Sequence, residues 1–194
     1  MNILRLVVTG PVGAGKSTFI RSASDIEAVD TDCRVTNGTG RTKRKTTTAL
    51  DFGRRKLTHN LLIHLYGTPG QARFEFMWDI LIRKAHVYML LVAAHRPEDF
   101  DHARRMLSFM QRRSPALIII GITHMDKPEA QKPERVVRAL GYNHNQSLPP
   151  IISVNADDPK SVNRAVMRSV KSYGRQLKAS KASHLKQSGT PKVA

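Results

Sequence analysis

The chain has 194 residues, 40% of them hydrophobic, and a formal net charge of +17. That length suits one domain with a real core, no apolar run is long enough to cross a bilayer, and the single cysteine, Cys33, excludes an internal disulfide. The charge implies an anionic partner, and with few aromatics among the basic clusters nucleic acid is not the expected one.

Ile3 to Val8 is a strand-sized apolar run, so a signal peptide is not expected and a reducing, cytoplasmic home is. It leads into Gly10-Pro11-Val12-Gly13-Ala14-Gly15-Lys16-Ser17. Strand, glycine loop and helix in this order turn a G-x-x-x-x-G-K-S match into a phosphate-binding loop. Gly13 and Gly15 let the backbone curl so that successive N–H groups converge on phosphate oxygens, and the following helix adds its positive end. Lys16 can reach the terminal phosphates, and the Ser17 hydroxyl can ligate Mg²⁺. The candidate nucleotide contacts here are Gly10, Gly13, Ala14, Gly15, Lys16, Ser17 and Thr18.

A short helix is predicted to end near Ser24, and the polar stretch from Ser24 to Thr46 reads as a long loop. Cys33 lies in it and reads as an incidental thiol. Strands are predicted over Thr47 to Leu57 and, after a turn at Thr58-His59-Asn60, over Leu61 to Tyr66. Arg73 to Ala85 has helical spacing, Val87 to Ala94 is a strand, and Pro97 to Arg112 is an amphipathic helix opened by Glu98 and Asp99. A strand over Ala116 to Ile122, a helix over Pro133 to Leu140 stopped by Gly141, and a strand over Ile151 to Val154 follow. Asp158 caps a last helix from Pro159, with Val162, Val166, Val170, Tyr173 and Leu177 on one face. Continuous apolar strands alternating with helices make an α/β fold: a doubly wound, mostly parallel sheet of about six strands with helices on both faces and ligand at the carboxyl ends of the strands. The folded domain is expected over residues 1–177. Residues 178–194, basic and poor in anything to bury, are expected to be a disordered tail.

Three further stretches stand where a Ras-like small GTPase places its nucleotide motifs. Thr46-Thr47-Thr48-Ala49-Leu50-Asp51-Phe52 resembles switch I, where a threonine closes over Mg²⁺ and the γ-phosphate. Aligning Asp51-Phe52 points to Thr47, and the threonine run leaves Thr46 and Thr48 open. Tyr66-Gly67-Thr68-Pro69-Gly70-Gln71 resembles switch II: Gly70 offers its N–H to the γ-phosphate and Gln71 orients the attacking water. Gly67 departs from that pattern, since most small GTPases place there an aspartate that holds Mg²⁺ through water. Thr123-His124-Met125-Asp126 resembles the Asn-Lys-x-Asp guanine motif with only its aspartate intact, and Ser153-Val154-Asn155 stands at the fifth, weaker motif. Taken together these stretches are similar to the prokaryotic small GTPases related to the gliding-motility polarity GTPase, over residues 2–177. The resemblance implies a G domain that binds GTP or GDP with Mg²⁺, hydrolyses GTP, and works with a roadblock-type regulator or another activating or exchange protein. It implies catalytic roles for Gln71 and Lys16 and makes Arg44 the candidate internal arginine finger. Val12, where Ras-type loops usually carry glycine, and Gly67 both imply slow hydrolysis. The rival readings are a P-loop kinase or ATPase of a small substrate, and a nucleotide-binding scaffold acting through its basic surface. The tail implies peripheral contact with the anionic inner face of a membrane.

Overall fold

The structure, a computed structural model, describes residues 1–28, 51–69, 81–143 and 147–187. Its strands are β1 (Asn2–Thr9), β2 (Asp51–Thr58), β3 (Leu61–Gly67), β4 (Val87–Ala93), β5 (Leu117–Thr123) and β6 (Ile151–Val154). Its helices are α1 (Lys16–Ala23), α2 (Phe100–Arg113, after a 3₁₀ turn over Pro97–Asp99), α3 (Pro133–Ala139) and α4 (Pro159–Gln187).

The six strands form one sheet in the order β2-β3-β1-β4-β5-β6. β2 runs antiparallel to β3, to which the Thr58–Leu61 turn joins it, and every other pairing is parallel. The expected class therefore holds, and the strand ends fall within about a residue of the expected ones except at the start of β2, whose expected residues 47–50 lie outside the described residues. β4 is a continuous apolar run, and β1 is one from Leu6 to Val8, because both faces of the sheet are covered there. Leu4, Leu6, Val8, Met89 and Leu91 pack on one side with Phe19 and Ile20 of α1 and Val162, Ala165 and Val166 of α4. Val7, Tyr88, Leu90 and Val92 point to the other side, against Ala103, Met106, Leu107 and Met110 of α2 and Val136 of α3. This alternation along one strand is the period of two that a pleated strand imposes. Each such side chain, taken fully out of water, contributes about 1.5–3 kcal/mol.

The sheet order also locates the site. The connection leaving β1 and the connection leaving β4 diverge at their shared edge, with β3 on one side and β5 on the other. That divergence opens a crevice at the carboxyl end of β1, where open α/β sheets hold their ligands.

Two expectations are corrected at α4. Asp158 does cap it, accepting from the amides of Lys160 (2.9 Å) and Ser161 (3.1 Å). Val162 and Val166 are buried, and Val170 and Tyr173 pack against the core, with Tyr173 stacked on His86 at 5.4 Å. Leu177, however, is 44% exposed, because the helix has by then outrun the sheet beneath it. The helix also does not stop there: it continues through Gln187, so residues 178–187 of the expected tail are helical, and residues 188–194 lie outside the described residues. From Lys178 to Gln187 there is neither glycine nor proline, and Lys, Ala, Leu and Gln are good helix formers. In the helix expected over Arg73 to Ala85, residues 73–80 lie outside the described residues. Leu81 and Ile82 are helical, and Lys84 and Ala85 already turn back onto the carbonyls of Leu81 and Ile82. No described helix is long and apolar enough to cross a membrane.

Candidate functional site

The Gly10–Ser17 loop leaves β1 and enters α1, as the motif requires. Gly10, Gly13 and Gly15 all have positive φ (145°, 80° and 90°), a region side chains disfavour. At Gly10 the need is also steric: a Cβ there would collide with the Leu91 carbonyl oxygen of β4. The loop closes over Lys16, whose ammonium donates to the Pro11 carbonyl at 2.8 Å. Burial strips that ammonium of water and lowers its pKa to about 8, against the opposing pull of Asp51 and Asp99. A buried cation held by a carbonyl of the glycine loop is poised to exchange that carbonyl for phosphate oxygens.

The opposite wall is made by Asp51, at the first residue of β2. Its carboxylate is 3% exposed and its Oδ2 accepts the Ser17 hydroxyl at 2.8 Å. Asp51 pairs directly with Gly67 across the two strands. Ser17 and Asp51 are adjacent hard oxygen donors beside the phosphate loop, the donor chemistry that Mg²⁺ takes when it also keeps waters and phosphates as ligands. No group of three or more His, Cys, Asp or Glu side chains arranged for a metal exists among the described residues.

Beyond Gly15 and Thr18 lies a polar cavity of about 240 Å³, lined by Thr123, His124, Asp126, Lys127, Asn155, Ala156 and Asp157. It is tied once to the phosphate loop and once to α1. The Thr123 hydroxyl donates to the Ala14 carbonyl at 3.1 Å, and the Ser22 hydroxyl of α1 donates to the Ala156 carbonyl at 2.7 Å. His124 has φ 56°, and its ring lies 4.7 Å from that of His95. Burial first, then the neighbouring His95, holds its pKa below the ordinary histidine value. A larger cavity, about 720 Å³, lies by α3 and β6 among Val137, Tyr142, Leu148 and Ile151. No phosphate loop borders it, and the smaller cavity is the one joined to the chemistry.

A family described as conserved hypothetical ATP binding protein matches residues 27–194, most of the chain. The chain belongs to this family. The match begins after the phosphate loop, so the loop and the family are separate observations, and together they make this a P-loop nucleotide-binding protein. An uncharacterized protein of Methanocaldococcus jannaschii is 29% identical over 94 residues, covering 48% of this chain and 53% of that one. The chain thus spans about half the length of that relative.

Of the residues expected at the site, the structure brings Gly10, Gly13, Ala14, Gly15, Lys16, Ser17, Thr18, Thr123, His124, Asp126 and Asn155 into one crevice. Ser153 and Val154 are not part of it. β6 runs through Val154, which packs into the core while Ser153 faces solvent, and the chain turns to the cavity only at Asn155. Ala156 and Asp157 take the places expected of the other two. Arg44, Thr47, Gly70 and Gln71 lie outside the described residues.

Asp51 and Arg96 belong to the site although sequence reasoning gave neither a role in it. Arg96 follows β4 and donates from Nη1 to the Val12 carbonyl at 2.9 Å, while its Nε faces Glu98 (3.4 Å) and Asp99 (3.1 Å). It pins the outer lip of the phosphate loop, and a Cβ on Gly13 would come within 2.7 Å of it. Its only sequence signal is an arginine two and three residues ahead of two acids, at the end of a buried strand.

Proposed function

We propose that the protein is a guanine-nucleotide switch that binds GTP with Mg²⁺ and hydrolyses it slowly to GDP. The observation that carries guanine is the position of Asp126 in the cavity joined to Gly15 and Thr18. A carboxylate there accepts both the N1–H and the exocyclic amine of guanine, a pair of donors that adenine lacks. Lys16 and the amino end of α1 offset the charge of the phosphates, and Ser17 is the side chain that would hold the cation. Mg²⁺, when bound, supplies Lewis-acid charge at the transferring phosphoryl oxygens.

The remaining roles follow from the family resemblance at residues outside the described ones. Thr47 closes on the metal, Gly70 donates to the γ-phosphate, Gln71 orients water and Arg44 is an internal finger. Nucleotide state then sets the arrangement of residues 25–47 and 67–78, which a roadblock-type regulator or another activating or exchange protein reads. Val12, 43% exposed at the lip of the loop, stands where it would crowd a glutamine reaching for water, and that supports slow turnover without a partner. The basic end of the chain is proposed to give peripheral attachment at the cytoplasmic face of an anionic membrane.

The family's description favours a second reading, an ATPase or small-molecule kinase on the same loop. Displacement of a fluorescent nucleotide by GDP and by ADP separates the two. GDP is expected to compete far better, and Asp126→Asn, which turns one acceptor into a donor, is expected to move preference toward xanthosine nucleotides. Equal displacement by ADP, or unchanged GTP affinity in the variant, removes guanine from the reading.

A further inference from the structure

The geometry points to Asp51 as the carboxylate of the Mg²⁺ site, delivered from β2 in place of the one that β3 lacks at Gly67. The inference rests on the nucleotide–Mg²⁺ reading above and names the acid which that reading otherwise leaves missing.

Three observations converge. Asp51 and Gly67 are direct partners across the antiparallel pair. A Cβ built on Gly67 would lie 2.9 Å from Asp51 Oδ2, 3.0 Å from its Cβ and 2.7 Å from Ile20 Cδ1. The Asp51 side chain therefore occupies the room that any side chain at 67 would need: one of the two positions can carry the acid, and here it is 51. The third observation is what the acid touches. It takes the Ser17 hydroxyl at 2.8 Å, and its charge also acts on Lys16.

The chemistry follows from the direction of that hydrogen bond. A hydroxyl that gives its proton to a carboxylate keeps its lone pairs for a cation and is a stronger ligand for doing so. The carboxylate also supplies negative charge next to a site that already holds a lysine, which a divalent ion would otherwise enter at a coulombic cost. Mg²⁺ takes one or two carboxylates together with phosphates and waters, so a single acid beside a serine is sufficient protein. A purely structural Asp51 would need only to accept from Ser17, which an amide oxygen does equally well. The charge is what an amide lacks, and the test turns on that difference.

The experiment is release of fluorescent GDP and ADP from the full chain as free Mg²⁺ is varied, with a chelator series alongside. For the parent, Mg²⁺ is expected to slow release. Asp51→Asn is expected to raise the Mg²⁺ concentration for half effect, measured against the variant's own release in chelator, by about 10–100-fold, the usual cost of removing a group that supports a metal ligand. The double variant Asp51→Gly with Gly67→Asp returns the acid from β3 and is expected to recover much of the Mg²⁺ response. An Asp51→Asn protein with the parent's Mg²⁺ response overturns the inference, as does a folded double variant with no recovery. If the double variant does not fold, Asp51→Asn alone decides. A parent that binds nucleotide with no Mg²⁺ effect sinks this inference and spares the nucleotide site; a parent that binds neither nucleotide sinks both.

Discussion

Lys16 should make nucleotide binding take up a proton. In the unliganded protein its pKa lies at about 8, because burial removes the ammonium from water. Against the ordinary 10.5, that shift means holding the bare cation in the fold costs roughly 3 kcal/mol. Bound phosphate restores the missing counter-charge, so the pKa in the complex rises again. Between the two values the free protein has lost the proton and the complex keeps it. At pH 7 the uptake should be close to zero; at pH 9, one unit above the free value, about 0.9 proton should be taken up per nucleotide, and affinity should be about tenfold weaker than at pH 7. The folding of the unliganded chain should run the other way. The unfolded lysine keeps its proton to about 10.5, so the contribution of this group to stability grows as pH rises from about 8 to 10.5. The assay is titration calorimetry at both pH values in two buffers of different ionisation enthalpy, with Lys16→Met as the control that should bind weakly and take up nothing. Buffer-independent enthalpy at pH 9 would refute the reasoning, since it would mean that the lysine is charged in both states.

Arg96→Ala removes a charged donor from the Val12 carbonyl; the arginine is 30% exposed, so the loss should be modest, about three- to tenfold in nucleotide affinity, and smaller at high salt. Equal affinity in parent and variant at low salt would show that the lip of the loop holds its shape unaided. Deleting residues 178–194 should cut sedimentation with anionic liposomes at low salt and leave nucleotide affinity alone, given roughly 1 kcal/mol per basic residue near such a surface. Undiminished liposome binding would move the attachment elsewhere on the protein.

What could be read from the chain was what lies close together along it. The phosphate loop is eight consecutive residues between a strand and a helix, and its glycines take the positive φ that the motif implies. The strands were legible because β4, and β1 from Leu6 onward, are buried on both faces and so read as apolar runs. The misses are all matters of register or distance. Asp51 meets Ser17 across 34 residues, and only the pairing of β2 with β3 brings them together. Arg96 meets Val12 across 84 residues, through the neighbouring positions of β1 and β4 in the sheet. Asn155 was placed at the base site, but its expected companions Ser153 and Val154 were off by the length of a strand end, since β6 still runs at Val154. At α4 a helical period could be followed to Leu177, yet the period cannot tell where the sheet beneath it ends.

The reach of α4 changes what an attachment there would mean. Residues 178–187 prolong a helix whose other end is packed into the core, and at the usual rise this adds about 15 Å of rod. A flexible tether would let the domain tumble above whatever it holds. A rod rooted at Val162 and Val166 fixes both standoff and attitude, so the lysines at its far end, among them the exposed Lys178 and Lys181, would present the nucleotide crevice to one side of a surface and not to the other.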